Sequence, residues 1–272
     1  MLSLLNRYLP KSILNRFKEP FKYFIRRQNK YIEAQLSLLQ LQGLLPAVPS
    51  EELQLRVAGD SYGDFFLHGD SFINDMSVAL QKEGKSFDSF ENILDFGTGC
   101  GRVLIPLSYR ISPHKLYGTD IDQEAIKWFS SSYTQFGGID YNPTIPPMKY
   151  SDNMFDLIFS ISVFTHLPED MQFAWLGKLR RITKPNGYLL LSFHGEYVIN
   201  TMGKNIVTKI QENGFYYELS TNGGTDGLPQ FYQEAFHAID YIKKEWGQYF
   251  EVLSIIPKGI GNNQDLAILR KR

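Results

Sequence analysis

The glycine loop at residues 95–102 constrains the possible fold more than any other feature of this sequence. It reads Asp-Phe-Gly-Thr-Gly-Cys-Gly-Arg and overlaps the end of a short apolar run, Ile93–Phe96. A glycine-rich turn between a first strand and a helix is typical of cofactor sites in parallel α/β sheets. A dinucleotide site needs G-x-G-x-x-G, but Arg102 stands where the third glycine would be. The G-x-G-x-G spacing therefore disfavours a dinucleotide.

The sequence after this loop alternates between strand-like apolar runs and helix-like amphipathic runs. We predict strands at 115–120, 155–160, 188–193, 250–256 and 265–269. We predict helices at 69–83, 102–110, 123–133 and 169–182. The last two strands would be joined by a connection at 257–264. Such a βαβα order indicates a parallel sheet with helices on both faces.

Two carboxylates follow the first two strands of this predicted sheet. Asp95 ends the first strand region, where a carboxylate would repel a pyrophosphate but attract the ammonium and sulfonium of S-adenosylmethionine. Asp120 ends the second strand and could accept hydrogen bonds from both hydroxyls of a ribose. Asp122 is instead predicted to cap the helix that begins near residue 123.

Four segments together resemble the class I S-adenosylmethionine-dependent methyltransferases: residues 93–103, 117–122, 155–167 and 179–191. The resemblance covers about residues 90–195 and, more loosely, the last two strands. It implies a Rossmann-like, seven-stranded, mostly parallel α/β sheet with an antiparallel last strand, and S-adenosylmethionine as cofactor. The cofactor-binding residues that it implies are Asp95, Gly97, Thr98, Gly99, Gly101, Asp120, Ile121, Ser160, Ile161 and Ser162.

The adenine contact is the point where the sequence departs from this family. Many such enzymes have an Asp after the third strand, and the alignment puts Thr144 there. Asn142 is our candidate for the adenine contact, with a backbone carbonyl as the alternative.

The distribution of charge divides the chain into segments. Residues 1–30 carry eight basic side chains and one acid, whereas the rest carries 20 basic and 28 acidic side chains. We interpret residues 1–30 as a basic amphipathic arm, 31–89 as a helical cap, and 90–272 as the methyltransferase domain with an insertion at 196–240. We favour a solvated arm that packs on its own cap; the alternative is an arm that lies on an anionic membrane surface. We expect a cytoplasmic protein, with peripheral membrane contact through this arm as the alternative.

The leading catalytic candidate is His166, just beyond the fourth strand, where open α/β sheets place their ligands. It could act as a general base, or it could only fix the loop geometry. Further polar candidates near the same edge could contact substrate, or could simply end strands and cap helices. These are His194, Glu196, Tyr232, His237 and Gln264.

Composition and missing motifs narrow the function. Cys100 is the only cysteine and H-E-x-x-H is absent, so we predict no metal site. The excess of acidic side chains after residue 30 disfavours a nucleic-acid substrate. The sequence also lacks the Asn/Asp-Pro-Pro-Tyr/Phe motif, which argues against methylation of a nucleobase or amide nitrogen. We therefore expect methyl transfer to an oxygen or nitrogen of a small or mid-sized molecule, such as a natural product or glycan. The alternatives are a carbon methyltransferase acting on a lipid or isoprenoid ring, and a non-catalytic binding protein.

Overall fold

The computed structural model describes residues 47–58, 65–218 and 229–272, whose helices and strands are numbered here in chain order. The helices are α1 (Glu51–Ala58), α2 (Phe65–Lys82), α3 (Leu104–Leu107), α4 (Gln123–Ser132), α5 (Glu169–Ile182), α6 (Glu196–Ile199), α7 (Lys204–Asn213) and α8 (Ile239–Glu245). The strands are β1 (Ile93–Phe96), β2 (Leu116–Asp120), β3 (Gly138–Tyr141), β4 (Phe155–Ser160), β5 (Thr183–Phe193), β6 (Phe215–Glu218), β7 (Glu234–His237), β8 (Glu251–Ile260) and β9 (Gln264–Arg270).

The main sheet has seven strands in the order β3-β2-β1-β4-β5-β9-β8. Strands β3, β2, β1, β4 and β5 pair in parallel, and β9 runs antiparallel to both β5 and β8. The strand order reverses between β1 and β4, so the carboxyl ends of these two strands border a crevice of the kind that binds ligands in open α/β sheets. The predicted Rossmann-like topology, including the antiparallel last strand, is confirmed.

The core forms because the central strands are apolar on both faces. All four residues of β1 are buried, as are five of the six in β4, so helices must cover both sides of the sheet. Helix α5 supplies one such cover with an apolar stripe at a helical spacing: Trp175, Leu176, Leu179 and Ile182. The predicted bounds of this helix are confirmed.

The insertion after β5 contains a two-stranded antiparallel sheet made of β6 and β7. Strand β7 also reaches the main sheet through backbone hydrogen bonds, from Ala235 N to Thr165 O (2.7 Å) and from His237 N to His194 O (2.9 Å). The insertion is thereby fixed next to the segments that follow β4 and β5.

Several predicted boundaries differ from the structure, among them the starts of α2 and β5, which are Phe65 and Thr183 and not residues 69 and 188. The helix predicted at 102–110 is the short α3, because its flanks form turns with bonds such as Arg110 N to Leu107 O (2.9 Å). The connection predicted at 257–264 is shorter, because β8 continues to Ile260, which pairs with Gln264.

Helices α1 and α2, which the sequence assigned to the cap, lie within the same compact unit as the sheet, Pro49–Arg272. Helix α1 contacts the glycine loop, since Cys100 Sγ lies 3.7 Å from Leu53 O. Arg56 on the same helix forms ion pairs with Asp122 (3.0 Å) and Glu124 (2.5 Å). The proposed arm, residues 1–30, lies outside the described residues.

Candidate active site

The glycine loop turns sharply between β1 and α3. Gly97 and Gly99 have φ angles of 92° and 54°, in the left-handed region that favours glycine. The backbone N–H groups of Gly97 and Thr98 both donate to Thr119 O, at 2.8 and 3.1 Å. A Cβ on Gly97 would lie 2.2 Å from Val163 Cγ2, so a larger residue would collide with the segment after β4. The loop is therefore held close to the carboxyl ends of β2 and β4.

Two carboxyl groups lie beside this loop. Burial raises the pKa of Asp95 to about 8. A hydrogen bond from Thr98 lowers this pKa, and the negative charge of the nearby Asp120 raises it. Asp120 accepts hydrogen bonds from Gly99 N (2.7 Å) and Asp122 N (2.8 Å). Burial nonetheless raises the pKa of Asp120 to about 6. The prediction for Asp122 is confirmed, since it caps α4 by accepting from Glu124 N and Ala125 N.

Two further polar side chains of this region are those of Thr98 and Arg102. The Thr98 side chain is buried, and its hydroxyl faces Asp95, whose pKa it lowers by hydrogen bonding. Arg102 Nε is also buried and has no hydrogen-bond partner among the described residues, while its guanidinium carbon lies 5.0 Å from the centre of the Phe72 ring. Burial lowers the pKa of Arg102. A buried polar atom without a partner in a crevice is suited to bind a ligand.

The candidates after β3 and β4 are already engaged within the protein. Asn142 is buried; its Oδ1 accepts from Thr119 Oγ1 (2.8 Å) and its Nδ2 donates to Pro143 O (3.0 Å). Ser160 Oγ donates to Phe96 O (2.7 Å). Ile161 is buried, and Ser162 has a φ of 60°. Ile121 is half-buried and lies between Asp120 and the α4 cap.

Ser162 joins three parts of the fold at the carboxyl end of β4. Its N–H donates to Ser192 Oγ on β5 (2.8 Å). Its carbonyl accepts from the Tyr232 hydroxyl (2.8 Å), and its Oγ accepts from Gln264 Nε2 (2.8 Å). Tyr232 and Gln264 therefore both lie at the carboxyl end of β4.

A second group of side chains lies beside Tyr232. The ring of His166 stacks on Tyr232 with centroids 4.4 Å apart, and the His194 ring lies 6.1 Å from His166. The carboxylate of Glu234 reaches both histidines: Oε2 lies 3.2 Å from His194 Nδ1, and Oε1 lies 3.8 Å from His166 Nδ1. Sequence reasoning did not single out Glu234, because only the β6–β7 hairpin brings it to this edge.

Two sequence candidates lie apart from this group. His237 is fully buried, and its Nε2 lies 2.9 Å from Gln172 Oε1 within an aromatic core, so the structure does not bring it to the open edge. Burial lowers the pKa of His237 to about 3, which keeps it neutral. Glu196 is exposed at the start of α6 and close to Asp265, whose pKa is raised by burial.

Two other kinds of feature are absent from the described residues. They contain no helix long and apolar enough to cross a membrane. Within the same residues, no three His, Cys, Asp or Glu side chains are grouped so that they could hold a metal ion.

Known families and solved structures match this arrangement. Residues 94–191 match the family model of a methyltransferase domain. A protein of Pyrococcus horikoshii has a similar fold, with a TM-score of 0.53 and 15% identity over 75% of this chain and 91% of that chain. An S-adenosylmethionine-dependent methyltransferase of Clostridium acetobutylicum matches with a TM-score of 0.51 and 12% identity, over 74% and 91% of the two chains.

The matched domain, the strand order and the glycine loop define the class of the protein. The chain carries a class I S-adenosylmethionine-dependent methyltransferase domain. It is therefore an enzyme that transfers methyl groups, and S-adenosylmethionine is its cofactor.

Proposed function

We propose that this enzyme transfers the methyl group to an oxygen or nitrogen of a small or mid-sized molecule. The observation that supports this acceptor class is the meeting of two histidines, His166 and His194, at the edge of the sheet that carries the glycine loop. Imidazole groups at such an edge can accept the proton that an O–H or N–H acceptor must lose. The acidic body, with its excess of acidic side chains after residue 30, favours an uncharged or cationic acceptor over a polyanion.

The residues around the glycine loop fit the cofactor. The left-handed glycines keep side chains out of the turn, and Arg102 Nε is buried without a hydrogen-bond partner among the described residues. We infer that Asp95, Gly97, Thr98, Gly99 and Gly101 border the methionine part. We infer that Asp120 and Ile121 hold the ribose, and that the segment from Ser160 to Ser162 borders the sulfonium.

The adenine contact keeps its two candidates, the Asn142 side chain and a backbone carbonyl. The Asn142 side chain already bonds to Thr119 and Pro143, so its amide would have to exchange partners to reach adenine. A backbone carbonyl of the segment after β3 requires no such exchange.

The cofactor supplies an activated methyl group, and the protein has to supply position and proton transfer. The edge after β4 and β5 would hold the acceptor atom in line with the methyl group, which is where much of the acceleration of such a displacement arises. Tyr232 and Gln264, fixed on Ser162, would shape the acceptor side. His166 would take the proton. Enclosure by the β6–β7 insertion would limit access of water to this edge.

Calorimetric titration with S-adenosylmethionine tests the cofactor site. Asp120→Asn should weaken binding roughly tenfold or more, because an amide presents one acceptor oxygen where the carboxylate presents two. Asp152→Asn is the matched control, since Asp152 pairs with Arg181 on the surface. Equal affinities for all three proteins would contradict the assignment.

Incubating the enzyme with methyl-labelled cofactor and a metabolite extract tests the acceptor class. Label on an oxygen or nitrogen of a small molecule would support the proposal, and label on ring carbon of a lipid would contradict it. Cofactor binding without any labelled small molecule would count against this acceptor class. We also propose a cytoplasmic location, with membrane contact through residues 1–30 as the alternative to a solvated arm. Deleting those residues should reduce partitioning of the protein into anionic vesicles only if the arm contacts the membrane.

A further inference from the structure

Glu234 on the insertion links the two histidines of the candidate active site. It lies between the His166 and His194 rings, with its two oxygens 3.8 and 3.2 Å from their Nδ1 atoms. The side chain of Glu234 is 48% exposed, so water could solvate its charge. Its position beside both histidines is therefore not required to compensate a buried charge. Burial raises the pKa of Glu234, but His194 and His166 outweigh it and the net pKa is lowered. Glu234 is therefore ionised at neutral pH.

The hydrogen bonds of His166 decide which ring nitrogen can accept a proton. Its Nδ1 lies 2.7 Å from the carbonyl oxygen of Gln233. Because a carbonyl can only accept, Nδ1 must donate, and in the neutral ring the proton is fixed on that atom. Nε2 is then the unprotonated nitrogen and the atom of this ring that can accept a proton.

The surroundings of His166 keep the ring neutral but able to charge. Burial lowers the pKa of His166, while Glu234 and the Gln233 carbonyl raise it and His194 lowers it slightly. Tyr232, stacked on the ring, carries no charge because burial raises the pKa of its hydroxyl. Among these neighbours Glu234 is the only one that carries negative charge when His166 gains a proton.

We propose that Glu234 is a positioning residue that pairs His166 with His194 as a proton-accepting cluster, and that the methyl acceptor is a hydroxyl group. This rests on the proposed function and names its acceptor atom. A neutral amine attacks through its own lone pair and can lose its proton afterwards, whereas an alcohol is a poor nucleophile until a base removes its proton. A neutral imidazole with a carboxylate behind it is suited to the second case.

The proposed step is balanced without a further reactant. The acceptor O–H bond breaks as the proton passes to His166 Nε2, and the oxygen electron pair forms the new bond to the methyl carbon. The electrons of the carbon–sulfur bond stay on sulfur, which neutralises the sulfonium. The resulting imidazolium is stabilised by Glu234 and later loses its proton to water.

An NMR titration of the histidine ring nitrogens in the full chain tests the cluster without any acceptor. Near pH 7, His166 should be neutral with its proton on Nδ1. In Glu234→Gln the pKa of His166 should fall further, because the carboxylate that favours the charged ring is gone. The matched control is Glu251→Gln, which breaks an ion pair with Arg270 between β8 and β9. This control should leave the pKa of His166 unchanged. A proton on Nε2 of neutral His166, or the same pKa in Glu234→Gln, would overturn the assignment.

Turnover on the active fraction of a metabolite extract provides the second readout. His166→Gln should lose roughly 100-fold in rate and Glu234→Gln roughly tenfold, consistent with general-base catalysis. In Glu234→Gln the acidic limb of the pH–rate profile should move to lower pH, which a loss of structure alone would not cause. A product methylated on nitrogen would contradict the hydroxyl assignment. Absence of any product would count against the proposed function, while the titration would still decide the cluster.

Discussion

Asp95 is protonated in the free protein at neutral pH, because burial raises its pKa from 3.8 to about 8. A cationic ammonium placed beside it would favour the charged form and lower that pKa. We therefore predict that binding of S-adenosylmethionine near pH 7 releases close to one proton. Calorimetry in phosphate and in Tris would detect the release as a difference in heat between buffers of unlike ionisation enthalpy.

The Asp95→Asn protein isolates this effect, since its amide has no proton to release but has nearly the same shape. It should bind with the same heat in both buffers apart from the contribution of Asp120, whose pKa of about 6 leaves little proton to lose near pH 7. Equal heats for the unmodified protein in both buffers would show that Asp95 does not meet the cationic end of the cofactor.

Residues of the glycine loop could be predicted from sequence because they act locally. The spacing of Gly97, Gly99 and Gly101 reflects backbone angles set within a few residues, and Asp122 caps a helix that starts next to it. Glu234 could not be predicted in this way. It reaches the histidines because a hairpin folds back, as shown by the bond between Tyr232 and Ser162, which are 70 residues apart in sequence.

At the scale of elements, α2 packs unusually closely against the segment that follows the glycine loop. A Cβ on Gly69 would lie 1.8 Å from the carbonyl oxygen of Arg102, and backbone cannot move aside as a flexible side chain can. We predict that Gly69→Ala lowers the free energy of unfolding by about 1–3 kcal/mol and weakens cofactor binding, because α2 must shift away from the loop. Urea unfolding and calorimetry would measure the two effects.

Gly247→Ala is the control for this substitution, because nothing lies within 4 Å of a Cβ at that position. Alanine there should leave stability unchanged or raise it slightly by reducing the entropy of the unfolded chain. If Gly69→Ala were as stable as Gly247→Ala, α2 would be free to adjust and would not define the shape of the loop.

The elements themselves were more predictable than their ends. Strands such as β4 are continuous apolar runs, and α5 has a helical apolar stripe, so both are marked by pattern alone. The extension of β8 to Ile260 is not marked, because Pro257 and the Gly259 and Gly261 positions read as a turn. Its pairing with β9 across Ile260 and Gln264 is a tertiary contact that overrides the local preference.

At the scale of the whole molecule, two buried groups should give stability opposite dependences on pH. Asp95 binds a proton in the folded state between pH 3.8 and about 8 that the unfolded chain lacks, so it favours folding at lower pH. His237 behaves in the reverse way. Its pKa falls from 6.5 to about 3, so the unfolded chain binds a proton in that interval that the folded protein does not. Cofactor bound at Asp95 would remove the first effect and leave the second.

The stabilising effect of neutral His237 is complete above pH 6.5 and is lost as the pH falls toward about 3. We predict that His237→Gln flattens this decline by up to about 1.4 kcal/mol per pH unit, since glutamine does not titrate yet can still donate to Gln172. Urea unfolding at several pH values with saturating cofactor would measure the slope, and the exposed His114→Gln should keep the slope of the unmodified protein. Identical slopes in all three proteins would mean that His237 is protonated inside the folded core, where its side-chain partner Gln172 would have to stabilise the charge.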